Sequence, residues 1–162
     1  MKSIITLLII FLSTVAMSQP PIAKTVIIIT KTTPYCGGAN PPEQILANAR
    51  KQKIPFGEKF YIIKGSRNSS NRKLLATLLF DSTGKCFVQL QPGCYSVISE
   101  FGVKMPAADT SLYDMECLKK TWATPLFVFK VIKSKNGIFS HNIAESCPQN
   151  QPCYIGKIEL PM

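Results

Sequence analysis

The feature that most constrains this chain is a series of short, β-branched segments separated by turn residues. The segments lie at residues 24–33, 59–64, 74–80, 86–90, 94–101, 126–133 and 137–144. Short apolar runs bounded by Gly, Pro, Asn and Asp are typical of strands in a two-sheet fold. The sequence therefore predicts an all-β fold, a single β-sandwich of about seven strands.

Two further segments have the composition of short surface helices. Residues 43–53 read EQILANARKQK, in which Ile45, Leu46 and Ala49 share one helical face. Residues 110–122 read TSLYDMECLKKTW, with acidic residues before lysines, the order that a helix dipole favours. We therefore expect one or two short helices on the surface of the sandwich.

The dipeptide Asn136-Gly137 indicates how the last two strands connect. Asn-Gly between two apolar runs is a frequent two-residue β-hairpin turn. The sequence therefore predicts that residues 126–133 and 137–144 pair as an antiparallel hairpin.

The first eighteen residues, MKSIITLLIIFLSTVAMS, have the layout of a secretory signal peptide. Lys2 precedes an apolar run, and the small residues Ala16 and Ser18 indicate cleavage before Gln19. An uncleaved anchor is the alternative, although the apolar run is shorter than the ~20 residues that span a bilayer. We expect residues 1–18 to be removed. Residues 19–162 then form one exported domain, periplasmic, outer-membrane associated or secreted, with no transmembrane segment.

The mature chain is strongly basic, because removal of Lys2 leaves 18 Lys and Arg against nine Asp and Glu, a net charge of +9. Outside the cytoplasm, envelope glycans, lipid head groups or acidic proteins are the partners that match this charge. A positive surface that serves only solubility is the other interpretation. The basic residues are scattered and few aromatic residues are interleaved with them, so nucleic acid is not an expected partner.

Six cysteines in an exported chain favour disulfides, although six residues allow fifteen connectivities. Cys147 and Cys153 enclose five residues, so a local bridge between them is a candidate. Cys36 and Cys117 are the remaining pair, and a bridge between them would tie the first loop to the second helix. Six reduced, inert thiols are the alternative.

Cys86 and Cys94 flank a tight turn and are not expected to bond each other. At the rise of a strand they would be roughly 13 Å apart, and a disulfide needs Cα atoms within about 7 Å. Cys86 shares the inward strand face with Val88 and Leu90, which favours its interpretation as a small buried hydrophobic residue.

The sequence contains no recognisable catalytic, cofactor-binding or metal-binding constellation. The single histidine, His141, alternates with Phe139 and Ile143 on one strand face, which favours packing over general-base chemistry. A thiol enzyme would need one cysteine beside His141, and no cysteine stands out for that role. Glycine-rich nucleotide loops and Cys-x-x-Cys spacing are absent, so we expect no cofactor and no metal.

One local signature resembles a known family. Asp81-x-x-Gly84 precedes a strand, and Pro92-Gly93-x-Tyr95 opens the next one. The pair resembles the turns of carboxypeptidase-regulatory-like domains, which implies a transthyretin-like, Ig-like β-sandwich. In that arrangement Gly84 and Gly93 permit turn conformations that other residues resist, and the Tyr95 ring lies against the end of the sandwich.

The remaining chain resembles a group of small exported proteins of Bacteroidetes type. The resemblance rests on residues 33–38 (TPYCGG), on Glu116-Cys117-Leu118 with Trp122, and on the paired cysteines of the tail. It implies a fold rather than an activity.

The sequence thus predicts an exported, non-enzymatic β-sandwich module with a structural or binding role at the cell envelope. The alternative is a carbohydrate- or anionic-polymer-binding module that uses the positive charge and exposed aromatic rings, and a thiol-dependent enzyme is the outlying alternative. The aromatic residues available for a sugar-binding face, or equally for the core, are Tyr35, Tyr61, Tyr95, Tyr113 and Trp122.

Overall fold

The computed structural model of the protein describes residues 22–37, 40–105, 107–133, 135–147 and 152–156. The expected signal peptide, residues 1–18, lies outside the described residues. Within the described ranges, no helix is both long and apolar enough to cross a membrane.

Seven strands and three short helices make up the described part of the chain. In chain order they are β1 (Ala23–Thr32), α1 (Glu43–Arg50), β2 (Phe60–Lys64), β3 (Leu74–Leu78), β4 (Lys85–Leu90), β5 (Gly93–Ser99), α2 (Glu100–Val103), α3 (Met115–Ala123), β6 (Phe127–Val131) and β7 (Gly137–Ala144). The strands form two sheets, in the orders β4-β1-β7 and β3-β2-β5-β6. This arrangement confirms the predicted β-sandwich of about seven strands.

The core lies between the sheets because the central strands alternate inward apolar and outward residues. In β1, Ile27 and Ile29 are fully buried. The opposite sheet contributes Phe60, Ile62 and Val97 to the same cluster. β5 is also buried on its outer face, where α2 covers Ile98. A Cβ added to Gly102 of α2 would lie 2.9 Å from the Ile98 Cβ.

The predicted hairpin at Asn136-Gly137 is wrong. β6 pairs with β5, whereas β7 pairs parallel with β1 in the other sheet. The inward rings of the two strands give the reason. Phe129 and Phe139 have centroids 4.6 Å apart, and Phe127 stacks on His141 at 4.8 Å. A hairpin would place these rings side by side on one sheet. Because the chain instead passes from one sheet to the other between β6 and β7, the rings face each other and fill the space between the sheets.

Several element boundaries also differ from the prediction. The strand expected to extend to residue 101 ends at Ser99, and α2 begins within its last two predicted residues. α3 begins later than predicted because the Asp114 side chain caps it. Its Oδ1 accepts hydrogen bonds from the backbone N–H groups of Glu116 at 2.9 Å and Cys117 at 3.2 Å.

The Asp81–Gly84 turn is stabilised by the side chain of its own aspartate. Asp81 Oδ1 accepts hydrogen bonds from the Thr83 hydroxyl at 2.7 Å and from the backbone N–H groups of Thr83 and Lys85 at 2.8 and 3.0 Å. These bonds hold the pKa of Asp81 below its usual value. Gly84 has φ +73°, and a Cβ there would lie 3.3 Å from the Ile29 carbonyl oxygen.

The second turn differs from the expectation at Gly93, whose φ lies outside the left-handed region. The Tyr95 ring lies over it instead, so that an added Cβ would approach Tyr95 Cε2 at 3.4 Å. Tyr95 is buried, and its hydroxyl donates to the Gln91 carbonyl oxygen at 2.8 Å, across the turn that contains Pro92. Burial raises the pKa of Tyr95.

Two disulfides join the chain, and they correct the expected pairing. Cys36 bonds Cys147 and Cys117 bonds Cys153, with Cα atoms 5.5 and 5.4 Å apart. The same four cysteines were expected to be oxidised, but as Cys147–Cys153 and Cys36–Cys117. Because β7 runs parallel to β1, the chain segments that follow the two strands leave the sheet at the same end, and this brings Cys147 to Cys36.

Cys86 and Cys94 do not bond each other, as expected, and the structure shows both as free thiols. Cys86 is buried among the core residues, and burial raises the pKa of its thiol. Cys94 is exposed at the start of β5.

Peptide mapping tests the corrected pairing directly. A non-reducing proteolytic digest analysed by mass spectrometry should contain one cross-linked species with Cys36 and Cys147 and another with Cys117 and Cys153. Alkylation before reduction should label only Cys94 in the native protein, and Cys86 only after unfolding. A species that joins Cys147 to Cys153 would contradict the structure.

One ion cluster ties the end of the three-stranded sheet to the loop before β2. Lys31 Nζ lies 2.7 Å from Glu58 Oε1 and 2.5 Å from Glu145 Oε1, and Thr33 donates to Glu145 Oε2 at 2.7 Å. Burial acts to lower the pKa of Lys31, but the hydrogen bonds and charges of the two carboxylates outweigh it and raise that pKa. The bonds from Lys31 and Thr33 lower the pKa of Glu145.

The lowered pKa of Glu145 makes its contribution to stability depend on pH. The contribution is present above the ordinary glutamate pKa of about 4.3 and is lost as the pH falls through the lower folded-state value. Glu145→Gln should therefore lower the free energy of unfolding by no more than about 1 kcal/mol at pH 7. The difference from the parent protein should therefore decrease as the pH falls below about 4.3.

Urea unfolding between pH 3 and pH 7 measures this effect. The matched control is Glu116→Gln, because the carboxylate of Glu116 forms no salt bridge within the described residues. A Glu145→Gln difference that stays constant across this pH range would show that the ion cluster is not its source.

A basic cleft between the loop after β2 and the last turn of α3

Positive side chains line two neighbouring surface cavities on either side of Ala123, near the end of α3. One lobe, of about 500 Å³, is lined by Ser66, Arg67, Lys120, Ala123, Thr124 and Pro125. The other, of about 690 Å³, is lined by Ser70, Arg72, Val103, Lys104, Met105, Lys119, Trp122 and Ala123. We call the two lobes together the basic cleft.

Each lobe has the same pair of charges. An arginine from the loop between β2 and β3 and a lysine from α3 line each one: Arg67 with Lys120 in the first, and Arg72 with Lys119 in the second. Lys104 adds a third positive side chain to the second lobe. Successive residues of a helix point in directions about 100° apart, which explains why Lys119 and Lys120 serve different lobes.

The loop is held against α3 by Asn68, a polar residue that is 4% exposed. Its Nδ2 donates to the carbonyl oxygens of Gly102 at 2.8 Å and Trp122 at 2.9 Å. Its backbone N–H donates to the Ala123 carbonyl oxygen at 3.0 Å. One amide side chain thus joins the loop, the end of α2 and the end of α3, because buried polar groups require such partners.

Arg72 also connects the loop to α2 and α3. Its guanidinium donates to the carbonyl oxygens of Ser69, Gly102 and Val103. It also lies over the Trp122 ring, with Cζ 5.3 Å from the centroid, a cation–π geometry. Burial lowers the pKa of Arg72, but arginine remains charged at physiological pH.

The other side of α3 is held by the tail of the chain. Cys117 of α3 bonds Cys153, and the Asp114 N–H donates to the Cys153 carbonyl oxygen at 2.9 Å. The Tyr113 and Tyr154 rings meet edge to face at 5.3 Å. The helix that carries Lys119, Lys120 and Trp122 is therefore fixed at both ends.

The electrostatics of the cleft favour an anion. No carboxylate lines either lobe among the described residues. Within the same residues Arg67, Lys104, Lys119 and Lys120 form no salt bridge. Two donors, Arg72 Nε and Trp122 Nε1, are buried with no hydrogen-bond partner. Unpaired positive side chains beside unsatisfied donors are the chemistry that binds sulfate, phosphate or carboxylate groups.

The aromatic residues proposed for a sugar-binding face lie in different places. Tyr95 is in the core, and Tyr113 packs on Tyr154. Tyr35 borders a separate cavity of about 480 Å³ beside α1, and only Trp122 lines the basic cleft.

The residues considered for catalysis are also not gathered into a site. His141 packs on Phe127, and desolvation lowers its pKa, as for a partly buried neutral imidazole. The described chain contains no group of three or more His, Cys, Asp or Glu side chains that could hold a metal ion.

Sequence reasoning missed the basic cleft as a site. The Lys119-Lys120 pair before the single tryptophan was visible, and so were Arg67 and Arg72 in a polar loop. Their convergence depends on the contacts of Asn68, which link segments far apart in the sequence.

Comparison with known proteins gives limited similarity. No family model and no curated protein matches the chain. The minor pilin GBS52 of the Gram-positive pathogen Streptococcus agalactiae is similar over 88% of this chain, with a TM-score of 0.42 and 12% identity. The Bacillus anthracis TIE protein is similar over 75%, with a TM-score of 0.37 and 16% identity. This chain covers 49% of the first protein and 17% of the second.

The fold and the cleft define a disulfide-linked β-sandwich whose described surface includes a positively charged cleft. The two disulfides are typical of proteins that fold in an oxidising compartment outside the cytoplasm.

Proposed function

We propose that this protein is an exported, non-enzymatic β-sandwich module that binds an anionic polymer of the cell envelope through the basic cleft. The observation that carries the proposal is the repeated pair of one arginine and one lysine in adjacent lobes, with no carboxylate among the described residues of either lining. Two positive lobes side by side suit a ligand that carries successive anionic groups, because each group can occupy one lobe.

The chemical class of the ligand follows from the donors. Guanidinium and ammonium groups bind sulfate, phosphate and carboxylate oxygens, and the indole of Trp122 offers an apolar surface to a sugar ring. An acidic polysaccharide or a phosphate-containing envelope polymer satisfies both requirements. The net charge of +9 on residues 19–162 accelerates the encounter with such a polymer at low salt.

The non-enzymatic part of the proposal rests on the surroundings of the reactive groups. His141 is stacked on Phe127, and the Cys86 thiol is buried with a raised pKa, so neither has the environment of an activated catalytic group. The Asp81–Gly84 turn and the buried Tyr95 support membership of the transthyretin-like, carboxypeptidase-regulatory-like sandwiches. We place the protein in the periplasm, at the outer membrane or in the secreted fraction.

Retention on an immobilised polyanion tests the proposal. The purified, oxidised protein should be retained on dextran sulfate and eluted by salt, and it should pass through unmodified dextran. The double variant Lys119→Gln and Lys120→Gln should bind soluble dextran sulfate about tenfold more weakly, equivalent to about 1.4 kcal/mol.

The matched control removes the same charge from the outer face of the three-stranded sheet, by Lys24→Gln with Lys85→Gln. Its affinity for dextran sulfate should remain within about twofold of the parent protein, since loss of net charge alone acts mainly through screened, long-range attraction. Equal losses in the two double variants would mean that the protein binds through its net charge and not through the cleft.

A further inference from the structure

β7 is an edge strand whose free side has none of the features that normally protect an edge. In the part of the chain that the structure describes, it pairs with β1 on one side only, over eight residues and without a register shift. Its sequence, GIFSHNIA, contains no proline and no charged residue. Natural sheets usually protect an exposed edge with charges, prolines, bulges or short strands, because an open edge accepts another strand.

The direction of the free backbone groups can be read from two hydrogen bonds. The Glu145 N–H donates to the Thr32 carbonyl oxygen at 2.9 Å, and the Ile29 N–H donates to the Gly84 carbonyl oxygen at 3.3 Å, toward β4. Alternation along a strand then directs the backbone groups of Ile138, Ser140 and Asn142 away from β1, to the open side. None of these N–H groups has a hydrogen-bond partner within the described residues.

The other three edges of the sandwich are better protected. β4 begins with Lys85, and the five-residue β6 contains Lys130. β3 is also five residues long, and its pairing with β2 is interrupted by a register shift between Ile62 and Ile63. β7 is therefore the edge at which strand addition meets the least resistance.

We propose that β7 is the interface between two copies of this chain, which pair antiparallel and join their three-stranded sheets into one sheet of six strands. A two-fold axis generates this contact from a single edge, since each β7 then supplies the same groups that it receives. Main-chain hydrogen bonds from the alternate residues of both strands form the contact.

Charge favours a second copy as the occupant. Most of the surface of a chain with net charge +9 repels another copy, but β7 carries no charge along its length. Lys135 precedes β7 and Glu145 follows it, and the Glu145 side chain is 35% exposed. Antiparallel pairing places the lysine of one copy beside the glutamate of the other at both ends of the interface.

A row of exposed apolar residues on the outer face of the same sheet ends at β7. Phe87, Val26 and Ile138 are direct neighbours across β4, β1 and β7, on the outer face. Phe87 is 72% exposed and Ile138 is 73% exposed. A second β7 beside Ile138 continues this row of side chains and covers part of its apolar surface.

Sedimentation velocity of the oxidised protein across a range of micromolar concentrations tests the proposal. The parent protein should show a concentration-dependent dimer. Ser140→Lys places like charges opposite each other near the middle of the paired strands, and it should weaken the dimer at least tenfold. Ser140→Thr should keep the dimer, and Gln89→Lys, the same charge change on the opposite edge strand β4, should leave it within about twofold.

Ser140→Pro is the second variant, because it removes an N–H that points to the open side and leaves the β1–β7 bonds in place. It should abolish the dimer while the circular dichroism spectrum stays that of the parent protein. If Ser140→Pro fails to fold, Ser140→Lys decides the question. A parent protein that stays monomeric throughout, or a dimer unaffected by Ser140→Lys, would overturn the proposal. Neither result bears on polyanion binding by the cleft.

Discussion

The packing of rings from β6 and β7 between the two sheets is the interaction on which most of this structure depends. Phe129 on Phe139 and Phe127 on His141 place successive strands on opposite sides of the core. Because the chain crosses there, β7 must pair with β1 and not with β6. The parallel pairing brings Cys147 to Cys36 and leaves one side of β7 open. The Cys36–Cys147 disulfide and the open edge of β7 thus both follow from the packing of these rings.

The basic cleft depends on a second, polar constraint. Asn68 ties the loop after β2 to the ends of α2 and α3, and the Cys117–Cys153 bridge ties α3 to the tail. With α3 held on both sides, Lys119 and Lys120 face separate lobes that each contain an arginine. Because the helix backbone that carries these lysines is held in place, it does not have to be ordered on binding, which makes a positive surface into a defined site.

The parts of the fold that local sequence determines were predictable. The Asp81–Gly84 turn follows from an aspartate that caps its own turn and a glycine at positive φ, and both act within four residues. The strands follow from alternation along each segment, and the inward face of Cys86 follows from the same pattern.

The four oxidised cysteines could be named, but their pairing could not, because it depends on which sheet β7 joins. The Asn136-Gly137 signal describes only two residues, and the packing of Phe127 and Phe129 against β7 overrides it. The charges of the cleft were visible in the composition, whereas their convergence depends on the long-range contacts of Asn68.

Trp122 is the single tryptophan of the chain and lines the cleft beneath Arg72, so its fluorescence reports directly on this site. The most direct measurement is a titration of the oxidised protein with dextran sulfate, followed by Trp122 emission, at several salt concentrations. We expect a saturable change in emission whose midpoint rises with salt, and no change with unmodified dextran. Binding of dextran sulfate detected by sedimentation without any change in Trp122 emission would contradict binding in the cleft, because the polymer would then bind elsewhere on the surface.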